Sequence, residues 1–321
     1  MNKKHTLKPD LLAIIHRGKN IECLHYGWIC VLSNNKIILK KGDISNPVLL
    51  RSCAKPIQAI PITKNNIEIT NEELAIACGS HSGSSKHIKV LKSLIKKNDL
   101  HISDLKCGIH LPIDEKEKIR LIRNGLPPNP LHNNCSGKHL GMLAVCKKNN
   151  WDLKSYLSPD HPLQKAILKE MKELSETSDI SIAIDGCGAS TFGLPVFNIA
   201  KLFSNFSQIK NKKYTKIISA MSQNPFLISG ARQLDTEIIK KSHGKLIAKS
   251  GAEGIIVVFY KGNCIVVKIA DGSPRARSFV VLKLLVKLGW LNKKEIKNSI
   301  LEEILNGEIK NLSGVTVGSM Y

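Results

Sequence analysis

Apolar positions recur at short period near the start of the chain, over 11–18 (LLAIIHRG), 22–33 (ECLHYGWICVLS) and 36–43 (KIILKKGD). Such runs predict strands, with a turn at Asn34-Asn35-Lys36. From residue 55 the spacing changes to the helical period, beginning with AKPIQAIPI. It predicts helices over 71–77, 84–99, 114–125, 136–149 and 161–176, with Pro162 suited to a helix start. A short apolar run, 180–186 (ISIAIDG), predicts a buried strand. TFGLPVFNIAKLF, YTKIISAMSQ and 230–244 are read as helical. Strand patterns return in KLIAKSG, GIIVVFYKGN and CIVVKIADG, joined by Gly/Asn turns, and RSFVVLKLLVKLGW supplies a last helix. The expected fold class is α/β (α+β): a mostly antiparallel sheet built from N- and C-terminal strands and flanked by helices. A single domain would have its sheet lobe at about 1–50 and 245–321, a helical lobe at about 51–244, and a cleft between them.

Composition narrows the function more than the fold. The chain has 321 residues and a formal charge of +22, but only seven of its 48 basic residues are arginine. The lysines are spread among Asn and Ile over almost every segment, and aromatic residues make up 5%. That is a compositional bias rather than a phosphate track, and base-stacking surfaces are scarce. Nucleic-acid binding is retained as the alternative from another class. No apolar run is long enough to span a bilayer, and the basic start lacks the apolar stretch of a secretory signal. Nine cysteines without regular spacing fit a reducing cytoplasm better than a disulfide framework.

Four short stretches carry candidate chemistry. In RSCAKP, Ser52 precedes Lys55 by three residues at a helix start, so Ser52 Oγ and Lys55 Nζ are expected on one face. Lys249 sits in the apolar pattern LIAKSGAEGIIVVF and either points into a cleft or snorkels at an edge. Ser-x-x-Lys at a helix start with a later Lys-Ser/Thr-Gly on a strand is the motif pair of penicillin-recognising serine enzymes. Ser80, in CGSHSG, is a second candidate serine or an N-cap, nearer to Ser52 than that pattern expects, which argues against a β-lactamase. Cys135 in NNCSGKHLGML and Cys187 in IDGCGAST lie in separate glycine-flanked turns. Two such cysteines could share a metal or be buried as small apolar groups; there is no C-x-x-C and no obvious fourth ligand.

These motifs together resemble the type II (rhizobial-type) L-asparaginase family. RSCAKPIQ, GSHSG, NNCSGKHLGMLA, IDGCG, AKSGAEG and GVTVG follow the family's order along nearly the whole chain, and HRGKNIECLHYG resembles its opening. The resemblance implies a fold like the serine β-lactamases, penicillin-binding proteins and one class of glutaminases. It implies hydrolysis of L-asparagine to L-aspartate and ammonia through a Ser/Lys acyl-enzyme, with a glutaminase or broader amidohydrolase as the alternative. Ser52 would be the nucleophile and Lys55 its base, with Ser80 and Lys249 as a second Ser/Lys set. By analogy with penicillin-recognising enzymes, the N–H groups of Ser52 and Ala252 would form the oxyanion hole.

For the substrate's charged ends, Asp185 is expected to take the ammonium. Arg51, or the helix start bearing Lys138 and His139, is expected to take the carboxylate. A zinc ion at Cys135, Lys138 and Cys187 would fit as an orienting ion not required for chemistry. The family precedent also suggests a homodimer. Arg275 and Arg277 are read as surface charge at a helix entry in preference to cleft-rim residues.

Overall fold

The computed structural model describes residues 7–208 and 211–321. In chain order its strands are β1 (Asp10–Arg17), β2 (Asn20–Ser33), β3 (Lys36–Lys41), β4 (Pro47–Leu49), β5 (Ser181–Ile184) and β6 (Ser190–Pro195). They continue with β7 (Ile247–Gly251), β8 (Ile255–Tyr260), β9 (Asn263–Ile269), β10 (Glu308–Lys310) and β11 (Thr316–Met320). The main sheet has eight strands in the order β10-β11-β1-β2-β9-β8-β7, with β3 also on β2. Every pairing in it is antiparallel. Both ends of the chain therefore build one sheet, as the patterning predicts.

The 14-residue β2 is the hub of this sheet. Its first half pairs with β1, its second half with β3, and residues 27–33 pair with β9 on the other side. Strands β8 and β9 are nearly continuous apolar runs, IIVVFY and NCIVVKI, because helices cover both of their faces. Helix Val196–Gln208 packs on one face and helix Pro274–Lys287 on the other. The first of these falls inside the stretch assigned to the helical lobe, so that lobe also covers the sheet.

Two readings of the middle segment need correction. The TFGLP of TFGLPVFNIAKLF, residues 191–195, forms β6 together with Ser190, and the helix begins only at Val196. The β-branched and aromatic STF stretch is held extended by β4 on one side and β5 on the other. The predicted strand at 180–186 exists as β5, but it is exposed rather than buried. It is the outer strand of the three-stranded sheet β4-β6-β5, with Ile182 and Ile184 facing solvent.

The helical lobe contains a stacked column of rings, His81 and His87 buried and Phe226 half-buried. His87 lies 4.8 Å from Phe226 and 5.3 Å from His81, centroid to centroid. Burial pushes the His87 imidazole down to about 4, and His81 moves in the same direction. Between pH 6.5 and about 4 the unfolded chain then binds more protons than the folded one. The stabilisation is complete above pH 6.5 and lost on acidification, by an amount on the order of 3 kcal/mol for His87. Denaturant melts at pH 7.5, 5.5 and 4.5 are expected to show this loss, and a flatter profile in His87→Gln.

Candidate active site

The first site residues enter from the small sheet. Leu50 N–H donates to Phe192 O at 2.8 Å, and Arg51 N–H donates to Thr191 Oγ1 at 3.2 Å. Arg51 then takes a left-handed conformation, φ +47°, immediately before Ser52. A non-glycine residue pays about 1–3 kcal/mol for such a backbone, and it persists only where neighbours hold it. The turn Arg51–Ala54 is a tight 3-10 helix, and the α-helix starts at Lys55 with Pro56 in its first turn.

The Lys55 side chain runs inward and is wholly buried. Its Nζ meets Gly79 O at 2.6 Å, Ser80 Oγ at 2.9 Å and Asn134 O at 3.3 Å. The contact expected with Ser52 is replaced by one with Ser80, because a desolvated amine settles among the nearest acceptors, and two of these are carbonyls. Burial holds Lys55 below its ordinary value. The Cys135 thiol works against this shift, and the Lys249 and Lys138 charges add to it. A neutral amine offers two N–H groups and one lone pair. Here Nζ donates to all three oxygens; a neutral Lys55 would keep its N–H groups on the two carbonyls and turn its lone pair to the Ser80 hydroxyl. Gly79 permits this approach: a Cβ there would lie 2.6 Å from Leu227 O, and Ser80 N–H donates to Ile228 O at 2.7 Å.

Lys249, on β7, is also fully buried, and it does not bond Ser80 as expected. Its Nζ donates to Ser250 O at 2.6 Å and to Asp235 Oδ2 at 3.2 Å. A buried ammonium needs a carboxylate, and the helix Leu234–Lys241 supplies one. Asp235 further accepts from Ser250 N–H at 2.9 Å, from Ser250 Oγ and from Ser229 Oγ at 3.1 Å. Burial opposes its charge, yet Lys249 and the Ser250 bonds outweigh it and hold the carboxyl below its ordinary range.

One cavity of about 260 Å³ collects these groups. Ser52, Ser80, Asp235, Lys249, Ala252 and Arg277 are on its wall, with Asn134 and Gln233 beside them. Sequence reasoning missed Asp235, and Arg277 is a correction to the surface-charge reading. A signal existed for each: an acidic residue between apolar positions in QLDTEII, and an arginine in a chain that otherwise uses lysine.

The proposed substrate-end residues are arranged differently from expectation. Arg51 Nε donates to Asp185 Oδ1 at 2.8 Å, so the two are paired with each other. Burial opposes the Asp185 charge, but the Arg51 and Gly186 hydrogen bonds keep its carboxyl below the ordinary range. His139 is not on the cavity wall. It is buried in the helix Ser136–Lys148, with Nδ1 2.6 Å from Tyr156 Oη, because an α-helix rotates it away from the face that carries Lys138.

Cys135, Lys138 and Cys187 do converge. Lys138 Nζ lies 3.1 Å from Cys187 Sγ, and the two thiols hydrogen-bond each other. That bond, with the Lys55 and Lys138 charges, puts Cys135 well below its ordinary value against the effect of burial. The same bond and burial raise Cys187. Burial opposes the Lys138 charge, but the two thiols outweigh it and raise the amine. Among the described residues, no group of three His, Cys, Asp or Glu side chains is placed to hold a metal. Among them, too, no helix is long and apolar enough to cross a membrane.

No curated protein matches the sequence. Among solved structures, a β-lactamase from Mycobacterium bovis is 12% identical, covering 78% of this chain and 89% of that one at a TM-score of 0.42; a likeness of this size carries no argument about chemistry. The family model described as L-asparaginase II matches residues 13–321. Since that match takes in both halves of the sheet and every residue on the cavity wall, the chain belongs to the L-asparaginase II family.

Proposed function

We propose that the protein hydrolyses the side-chain carboxamide of L-asparagine to L-aspartate and ammonia. The supporting observation is the convergence of Ser52, Ser80 and Lys249 at one cavity, with Lys55 bonded to Ser80 behind its wall, in a chain of this family. An amide is a weak electrophile with a poor leaving group, so it needs an activated nucleophile, a base that becomes an acid, and oxyanion stabilisation.

In this reading Ser52 Oγ attacks the amide carbon, and its proton passes by way of the Ser80 hydroxyl to neutral Lys55. The resulting oxyanion faces the N–H groups of Ser52 and Ala252. Lys55 then returns the proton, through the Ser80 hydroxyl to which it is bonded, to the departing nitrogen. Ammonia leaves, and an ester remains on Ser52. Water attacks the ester, giving its proton to Lys55, and collapse restores the Ser52 hydroxyl and frees aspartate. Lys249, tied to Asp235, supplies the nearby positive charge that favours a neutral Lys55. Asp185 keeps one carboxylate oxygen for the substrate ammonium. A second reading, with Ser80 as nucleophile, is favoured by the 2.9 Å Lys55–Ser80 bond.

The test is ammonia release from L-asparagine and L-glutamine. A faster rate on asparagine is expected. The reverse preference would make the protein a glutaminase, and release from neither by folded protein would sink the assignment.

Two thiols, one of them favoured as thiolate, and an adjacent amine fit a zinc ion held by Cys135, Lys138 and Cys187. When bound, the ion would supply a fixed positive charge for orienting substrate, and Lys138 would lose a proton to bind it. Zinc at 100 times its dissociation constant is expected to stabilise the protein by about 2.7 kcal/mol, read by thermal unfolding. Cys187→Ser should remove that gain; an equal gain in the variant would place the metal elsewhere.

A further inference from the structure

Arg277 has an unusual environment for a guanidinium. Its Nε is buried without a partner. Its other contacts are long: Nη1 to Gly251 O and Nη2 to Ser278 Oγ, both at 3.4 Å. Among the described residues, no carboxylate oxygen lies within 4.0 Å of it, although Asp235 stands on the same cavity wall. Asp235 is already engaged by Lys249, Ser250 and Ser229. Burial lowers Arg277 from its ordinary value, which means that its charge is under-compensated where it stands.

Arg51 is the opposite case. Its Nε is taken at 2.8 Å by Asp185. Of the two arginines near the reacting serines, Arg277 is therefore the one whose charge has no carboxylate partner, and its planar fork matches a carboxylate. A neutral amino-acid amide carries one negative group, its α-carboxylate, three bonds from the side-chain amide carbon in asparagine.

We infer that Arg277 binds the α-carboxylate of the substrate and so sets the distance at which the side-chain amide meets Ser52. This rests on the amidohydrolase reading above. It makes Arg277 a specificity-determining residue. Asparagine and glutamine differ by one methylene between the carboxylate and the amide, and a fixed anchor discriminates that difference by about 10- to 200-fold.

The test compares L-asparagine with 3-aminopropanamide, which lacks only the carboxylate, in the wild-type protein, Arg277→Gln, Arg277→Lys and Arg51→Gln. Arg277→Gln is expected to lower kcat/KM for asparagine by about 10- to 100-fold, mainly through KM, and to change the rate on 3-aminopropanamide by less than about 3-fold. Arg277→Lys, which keeps charge but loses the fork, should fall between. Equal losses on both substrates, or a carboxylate-selective loss in Arg51→Gln instead, would overturn the inference.

Calorimetric binding of L-aspartate against β-alanine separates this inference from the functional reading. A wild-type preference for aspartate that Arg277→Gln abolishes supports the carboxylate site even if no amide is hydrolysed. A preference that survives in folded Arg277→Gln refutes it.

Discussion

Ser52→Ala is expected to reduce ammonia release from L-asparagine by about four to six orders of magnitude, with little change in melting temperature. Removing the attacking oxygen abolishes the acyl-enzyme route, whereas the half-buried Ser52 side chain contributes little packing. Ser80→Ala should cost less, about 10²–10⁴-fold, because it interrupts proton transfer but leaves the nucleophile in place. Acid-quenched mass spectrometry adds a direct reading, since the aspartyl adduct belongs on the peptide that carries Ser52. An adduct on the Ser80 peptide, or a larger loss in Ser80→Ala than in Ser52→Ala, would reverse the two roles.

Asp235→Ala is expected to destabilise the fold by about 3–5 kcal/mol, because it leaves the Lys249 ammonium buried without its carboxylate. Combining it with Lys249→Met should recover part of that loss, since an apolar pair has no charge to desolvate. Activity should stay low in the double variant, which removes the positive charge beside Lys55. The pH dependence follows from the sign of the shift. The folded Asp235 carboxyl lies below its ordinary 3.8, so the pair's contribution is complete at neutral pH. It is lost only as the pH falls through that lowered value. Denaturant melts of the single and double variants measure the coupling, and strictly additive losses would show that the pair does not act as a unit.

The patterns at the two ends made β1–β3 and β7–β9 legible, through short-period apolar positions or, for β8 and β9, nearly continuous runs, whereas the short strands β10 and β11 were not foreseen. The helices at 71–77 and 136–149 were similarly plain. Residues 190–195 were not, since TFGLP alternates too briefly to distinguish a strand from the turn before a helix. In the site, Ser52, Lys55, Ser80 and Lys249 could be selected from local motifs, but their partners could not. Lys55 bonds Ser80 across 25 positions and Lys249 bonds Asp235 across 14, and neither distance follows from helix or strand period. Arg277 was passed over because a charged residue at a helix entry is ordinarily solvated. It is half-buried on the cavity wall, beside Gly251 at the end of β7.

The sheet also sets the order in which this molecule can be made. Strand β1 pairs with β11, so that Ile15 lies opposite Met320, and β2 pairs with β9. A chain synthesised from its N-terminus exposes the apolar β1–β2 hairpin long before either partner exists, while the helices between them form from local contacts. Closing so long a loop delays sheet formation in proportion to its entropy cost. Lys249 is delivered to the cavity by that late sheet, so catalytic competence should be the last property the nascent protein acquires.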